Sequence, residues 1–325
     1  MNTTAWVAAL ALLGTSSAAA QGAARSVAEV ANVRFYSDEL MNLHHTLYAA
    51  AWHGRAQGRP LSQRLAQAPT APFTPEERAA WDDAVRYYDR ELASKDLLFG
   101  DGMVFIKYAL VHTGLDDPAI APGLRAVLRA ALPVYRSRFW PEHDRVNRAW
   151  IAVVSERLAA LAPDVIPRLE TLYGTRWFAM PERADVVWGG SWAGDYATDG
   201  PPHATMSSTH PGMQDQWLAA ETLFHEYSHI LILDLQKRLE TALGEDLKPH
   251  PVLWHAIQFY LTGEVVRAAL ASRNVGFTPA SAGMFERAWP QYREPIADAW
   301  GPYLVGRRTM DEAVAATVAA LKAAR

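Results

Sequence analysis

Cysteine is absent from all 325 residues. That excludes disulfides, thiolate zinc sites, a cysteine nucleophile and a lipid anchor on an N-terminal cysteine. An excess of one charge is also missing: 31 basic against 35 acidic side chains give a formal net charge of −4, with no basic run. Neither nucleic acid nor an anionic membrane surface finds an electrostatic footprint here. No apolar stretch approaches the ~20 residues that a membrane span needs, so no stable membrane anchor is expected. No period of ~20–50 residues recurs, which excludes a solenoid. Charge is lacking from the start of the chain as well, Arg25 being the first charged side chain. Within that stretch residues 5–13 form a short apolar core, and Ser17-Ala18-Ala19-Ala20 precedes Gln21. This is the pattern of a signal peptide over residues 1–20, with export to the periplasm or the medium as its consequence.

What is present is apolar mass, half of all residues, enough for one large domain or two modest ones. The densest part lies around Glu221-Thr222-Leu223-Phe224-His225-Glu226-Tyr227-Ser228-His229-Ile230-Leu231. No proline or glycine interrupts residues 213–243, which predicts one long helix that is apolar nearly all round and therefore central to its domain. On a helix His225 and His229 project from one face, one turn apart, a spacing at which two neutral imidazoles bind a single divalent metal. Glu226 points about 100° away, beside such a metal, where a carboxylate can take a proton from an activated water. The bland alternative is a core helix that happens to hold two histidines and a glutamate. Buried groups of that kind are costly without partners, and a metal supplies them.

The rest of the chain reads as mainly helical. Helices are predicted near residues 37–52, 75–92, 97–111, 122–139, 146–161 and 167–173, with Pro163 as a break and residues 55–74 as a loop. From residue 177 the character changes. Strand candidates at 183–188 and 203–209, separated by turn residues, suggest a small antiparallel sheet just before the HExxH helix. Further helices are predicted at 252–272, 282–289 and 309–323. The expectation is an α+β, mainly α-helical fold: a helical N-terminal region (21–176), a zinc-binding core (177–272) and a C-terminal helical region packed on it (273–325).

A catalytic zinc needs a third protein ligand. If the helix ran ~11 residues past His229 and an antiparallel helix returned from Pro251, a rise of 1.5 Å per residue would bring Glu264 abreast of the histidines and leave His255 well below them. His255 and Glu264 lie nine residues apart, about 180° around a helix, so only one can face the metal. Glu264 is thus the expected third ligand, with pairing to Arg267 as its alternative. Asp234 is off the face of His229. Adjacent His44 and His45 cannot share a helix face, and a core or surface pair is the favoured reading.

HEYSH with a glutamate on a following helix resembles the gluzincin group of zinc metallopeptidases. The metzincin extension is absent, Ile232 and Leu235 standing where its glycine and last histidine would be, and no G-x-M-E-N sequence occurs. The resemblance covers roughly residues 184–272. It implies one Zn²⁺ per chain held by His225, His229 and Glu264, Glu226 as general base, and a peptide or protein substrate. It also implies an edge strand before the metal helix, at 203–209 by position, and a tyrosine or histidine that stabilises the oxyanion, for which Tyr260, Tyr292 and Tyr303 are available. The alternative is a non-catalytic exported binding protein with a structural or vestigial zinc site.

Overall fold

The computed structural model describes residues 25–56, 72–98, 100–190, 195–199 and 202–323. The leader expected over residues 1–20 lies outside them, as does most of the loop expected over 55–74. The described chain is α+β and mainly helical, with eleven helices and one five-stranded sheet.

The sheet is mixed, in the order β1-β2-β3-β5-β4: β1 is Ala28–Val30, β2 Val33–Tyr36, β3 Glu182–Val187, β4 Asp195–Asp199 and β5 Pro202–Ser207. β1 pairs with β2 and β4 with β5 antiparallel, whereas β2–β3 and β3–β5 are parallel. The expected small antiparallel sheet is therefore corrected in two ways. Two of its strands come from residues 28–36, joined through Ala31 and Asn32 at φ 54° and 60°, the two positive angles of a type I′ turn. And the segment expected at the edge, β5, lies inside, because the hairpin folds it back between β4 and β3. The edge strand on this side of the sheet is β4, with β1 at the other edge.

Period-2 alternation gives the sheet two different faces. Val33, Phe35, Ala184, Val186, Ala204 and Met206 enter the larger hydrophobic core. Asp185, Val187, His203 and Thr205 face the other way, toward α1 (Glu39–Ala56), α2 (Pro75–Glu91), α3 (Asp101–His112) and α4 (Pro122–Arg138). Asp38 starts α1, its Oδ1 accepting from the N–H groups of Leu40 and Met41 at 3.0 Å. A capping box between Thr74 and Glu77 starts α2. On this second face the polar groups satisfy one another. Asp185 accepts from Arg183 at 2.6 and 2.9 Å and meets His203 Nε2 at 2.6 Å. Burial opposes its ionisation, but those partners hold its carboxyl well below the usual carboxylate range. Lys107, on α3, donates to the carbonyl of His203 at 2.6 Å and to Thr198 Oγ1 at 3.2 Å, and burial pushes its ammonium down to about 7.

The larger core is crossed by α5 (Trp140–Tyr173), 34 residues without interruption despite Pro163 and Pro167. Each proline removes a helix hydrogen bond and clashes one turn back, a cost of ~3 kcal/mol. Against that, Ile151, Val154, Leu158, Leu161, Val165, Leu169 and Leu172 form one fully buried stripe. Burying a side chain of this size is worth ~1.5–3 kcal/mol, so the stripe outweighs both prolines and the predicted break at Pro163 does not occur. The stripe packs in the same core as the HExxH helix.

The C-terminal half comprises α6 (Gln216–Ser228), α7 (Leu233–Leu243), α8 (Leu253–Ala271), α9 (Ala280–Arg287), α10 (Arg293–Leu304) and α11 (Met310–Ala323). α8 lies against α6, and Gly263 sits where they meet the start of α9. A Cβ there would come within 2.6 Å of Pro279 Cβ and 3.0 Å of Glu221 Oε1. Proline is rigid, so we expect Gly263→Ala to lower unfolding free energy by ~1–3 kcal/mol, the usual cost of overpacking. Chemical denaturation of the two proteins, compared at equal m-value, checks this.

Candidate metal centre

α6 begins at Asp215, whose carboxylate accepts from the N–H groups of Trp217 and Leu218 at 2.9 and 3.1 Å. Every residue from Ala219 to Ser228 is buried. His225 occupies the last turn. His229 lies just past the helix end but keeps helical angles, φ −54° and ψ −32°, so both imidazoles still share a face. The chain then turns through residues 229–232, with the N–H of Leu231 donating to the carbonyl of Ser228 at 2.9 Å. The single helix expected over 213–243 is thus two.

That break decides the third histidine. α7 leaves on a new course, and the first turn of α8, not its middle, abuts the end of α6. His255 therefore comes up against His225, their Nε2 atoms 3.0 Å apart. The ring centroids of His225, His229 and His255 form a near-equilateral triangle of 5.1, 5.0 and 5.2 Å. One nitrogen from each lies within 4.8 Å of the others. Zinc bound at 2.0–2.1 Å in tetrahedral geometry holds its ligand nitrogens about 3.3 Å apart, so the 3.0 Å pair would open slightly and the wider separations would close by up to ~1.5 Å for the group to hold a metal.

The surroundings favour neutral imidazoles, the form that binds metal. Burial holds His225 well below its ordinary pKa, and burial together with His229 pushes His255 down to about 3. Phe259 stacks on His225 at 3.7 Å between centroids, Trp254 stacks on His255 at 4.9 Å, and Trp289 lies 5.7 Å from His255. Three buried or half-buried imidazoles in an aromatic shell have poor solvation, and His225 Nδ1 is buried with no hydrogen-bond partner among the described residues. A divalent cation at their centre is the group whose charge such a cluster accommodates best.

Glu226, next to His225 in the chain, is 6% exposed. Its partner is Asp195 on the edge strand β4, with which it shares a side-chain hydrogen bond. Antiparallel pairing sets Asp195 opposite Met206, on the sheet face that α6 covers. Burial pushes the Asp195 carboxyl up to about 6, with the bond to Glu226 pulling the other way.

Glu264, expected as the third ligand, is not part of the group. Nine residues beyond His255 it faces the opposite side of α8, where Arg267 Nε donates to its carboxylate at 3.0 and 3.1 Å. It lines a surface cleft with Asp164, Arg168 and Tyr260. The other candidates are engaged elsewhere: Tyr292 lies 3.0 Å from His250 Nδ1, and Tyr303 donates to the carbonyl of Leu172. His44 pairs with Tyr88 at 2.7 Å, and His45 Nε2 with Tyr196 at 2.9 Å. Asp234 is held by Arg238 at 2.7 Å.

No protein-family profile matches the chain, and no curated protein or solved structure matches it either. The site therefore rests on its own geometry. Asp195 and His255 are the site residues that sequence reasoning missed or set aside. For His255 the signal was present, a histidine in the first turn of the next helix. For Asp195 there was none, since strand register is what places it.

Proposed function

We propose that this chain is an exported zinc-dependent metallopeptidase, an enzyme that hydrolyses peptide bonds of a peptide or protein substrate. The observation that carries the reading is the convergence of His225, His229 and His255 on one point, with Glu226 adjacent to His225 on the same buried helix. Three protein donors are the number found at catalytic zinc sites, and among the described residues the group contains three. Zinc, when bound, supplies Lewis-acid polarisation of a carbonyl and lowers the pKa of water.

The chain's own residues supply the rest. Burial keeps the His225 and His255 imidazoles neutral and so available as donors. Glu226 takes the proton from the attacking water and returns it to the leaving amine, and Asp195 holds the carboxyl group of Glu226 from the sheet side. Trp254, Phe259 and Trp289 surround the histidines with apolar surface, which strengthens every charge interaction among them. β4 is the edge strand beside α6, and an edge strand offers main-chain donors and acceptors to an extended peptide. The HEYSH sequence keeps its likeness to gluzincins, while a histidine in place of the carboxylate ligand departs from their pattern. No helix among the described residues is long and apolar enough to cross a membrane.

The test is direct. The purified protein should bind about one zinc per chain, as the single three-ligand group requires. It should cleave members of a mixed peptide library read by mass spectrometry, and chelation should abolish cleavage until zinc is restored. A protein that holds zinc and cleaves nothing would be a binding protein with a structural site. One that holds no zinc would have neither function.

A further inference from the structure

Between the HExxH segment and α8 lies one fully buried amide that the chemistry above does not use. Gln258, one turn after His255, is 0% exposed. Its Nε2 donates to the carbonyl of His225 at 2.9 Å and to Ser228 Oγ at 2.8 Å. Ser228 Oγ donates to that same carbonyl at 2.8 Å. In an uninterrupted helix the carbonyl of residue 225 serves only the N–H of residue 229. Here it carries two side-chain bonds, at the point where α6 stops and the chain turns. A side chain inserted into the helix ladder is a recognised cause of such a break.

We propose that Gln258 is a positioning residue of the metal centre: it ends α6 at Ser228 and thereby fixes where His225 and His229 stand relative to His255. This rests on the metal-site reading above. The economy of the arrangement is that Gln258 and His255 share one helix. One face of α8 thus supplies both the third donor and the clamp that aligns the other two. A shift of α8 relative to α6 would move both together, so register between the helices is locked at the site itself.

The experiment uses the full chain, with zinc affinity measured against a competing chelator. Gln258→Met keeps the volume and removes both polar contacts. Gln258→Asn keeps the amide but is one methylene too short to reach. Both should weaken zinc by ~10–100-fold, the effect of losing an outer partner of a ligand. A purely structural role would lower melting temperature without altering the metal's geometry. The visible spectrum of the cobalt(II)-loaded protein separates the two: the positioning role predicts changed band positions and intensities in both variants. Wild-type affinity and spectrum in a folded variant overturn the proposal. Failure of both variants to fold assigns Gln258 to the core instead, which also overturns it. A wild-type protein that binds no zinc is a different result, removing the metal-site reading itself.

Discussion

Glu226→Gln should lower peptide hydrolysis by ~10²–10⁴-fold, the range contributed by a positioned acid–base group, and leave zinc content unchanged. The substitution preserves the shape of the side chain and replaces its basic oxygen with an amide that cannot accept a proton at neutral pH. Metal content should hold because Glu226 is not among the three donors. The fold should hold because an amide can still hydrogen-bond with the Asp195 carboxyl. The measurement is kcat/KM on a peptide the wild type cleaves, beside zinc per chain for both proteins. Equal cleavage by the two would remove Glu226 from the chemistry. Loss of zinc from Glu226→Gln would instead place its carboxylate among the metal's donors, outside the three-histidine group.

Much of the fold is legible in the sequence, and the reasons are local. α2 is predicted over 75–92 and observed over Pro75–Glu91, because a capping box and a proline at the first turn fix its start. α4 is predicted over 122–139 and observed over Pro122–Arg138 for a similar cause, a proline at its first turn and a clear apolar stripe. What escapes is decided by distant packing. The two short strands before α1 carry alternation over only a few residues, and their turn places alanine where asparagine or glycine would have signalled it. The continuity of α5 through two prolines follows from a buried stripe whose partners come from the whole C-terminal half.

The candidate site divides along the same line. His225, Glu226 and His229 are readable because a spacing of four on a helix puts them together without help from the rest of the chain. The third donor depends on where α6 ends, and nothing between Phe224 and Leu235 resembles a helix terminator: no glycine, no proline. The break is made from outside, by Gln258 thirty-three residues downstream. Extrapolating one straight helix through residue 243 therefore carried the expected hairpin too far along α8, from His255 to Glu264. The geometric rule that only one of the two can face α6 was sound. The register fed into it was not.

His255→Ala should cost the protein its zinc, whereas Glu264→Gln should leave zinc binding at the wild-type level. His255 supplies one of three nitrogens, so its loss leaves two donors, fewer than a catalytic zinc site uses. The drop should exceed the ~10–100-fold attributed to outer partners. Alanine also opens space beside Trp254 and Trp289, so the variant needs a control for packing. His255→Phe keeps an aromatic ring in the shell and removes the nitrogens, and it should lose zinc equally. Glu264 by contrast is tied to Arg267 on the outer side of α8, a partly exposed pair of the kind worth no more than ~1 kcal/mol. Its amide variant should change melting little and metal content not at all. Competition with a chelator, run on all three variants, reads the result. Full retention of zinc in His255→Ala with loss in Glu264→Gln would mean that the metal draws α8 into the register first expected from the sequence. Equal loss in both would require α8 to turn two opposite faces to one ion, which a single helix cannot do.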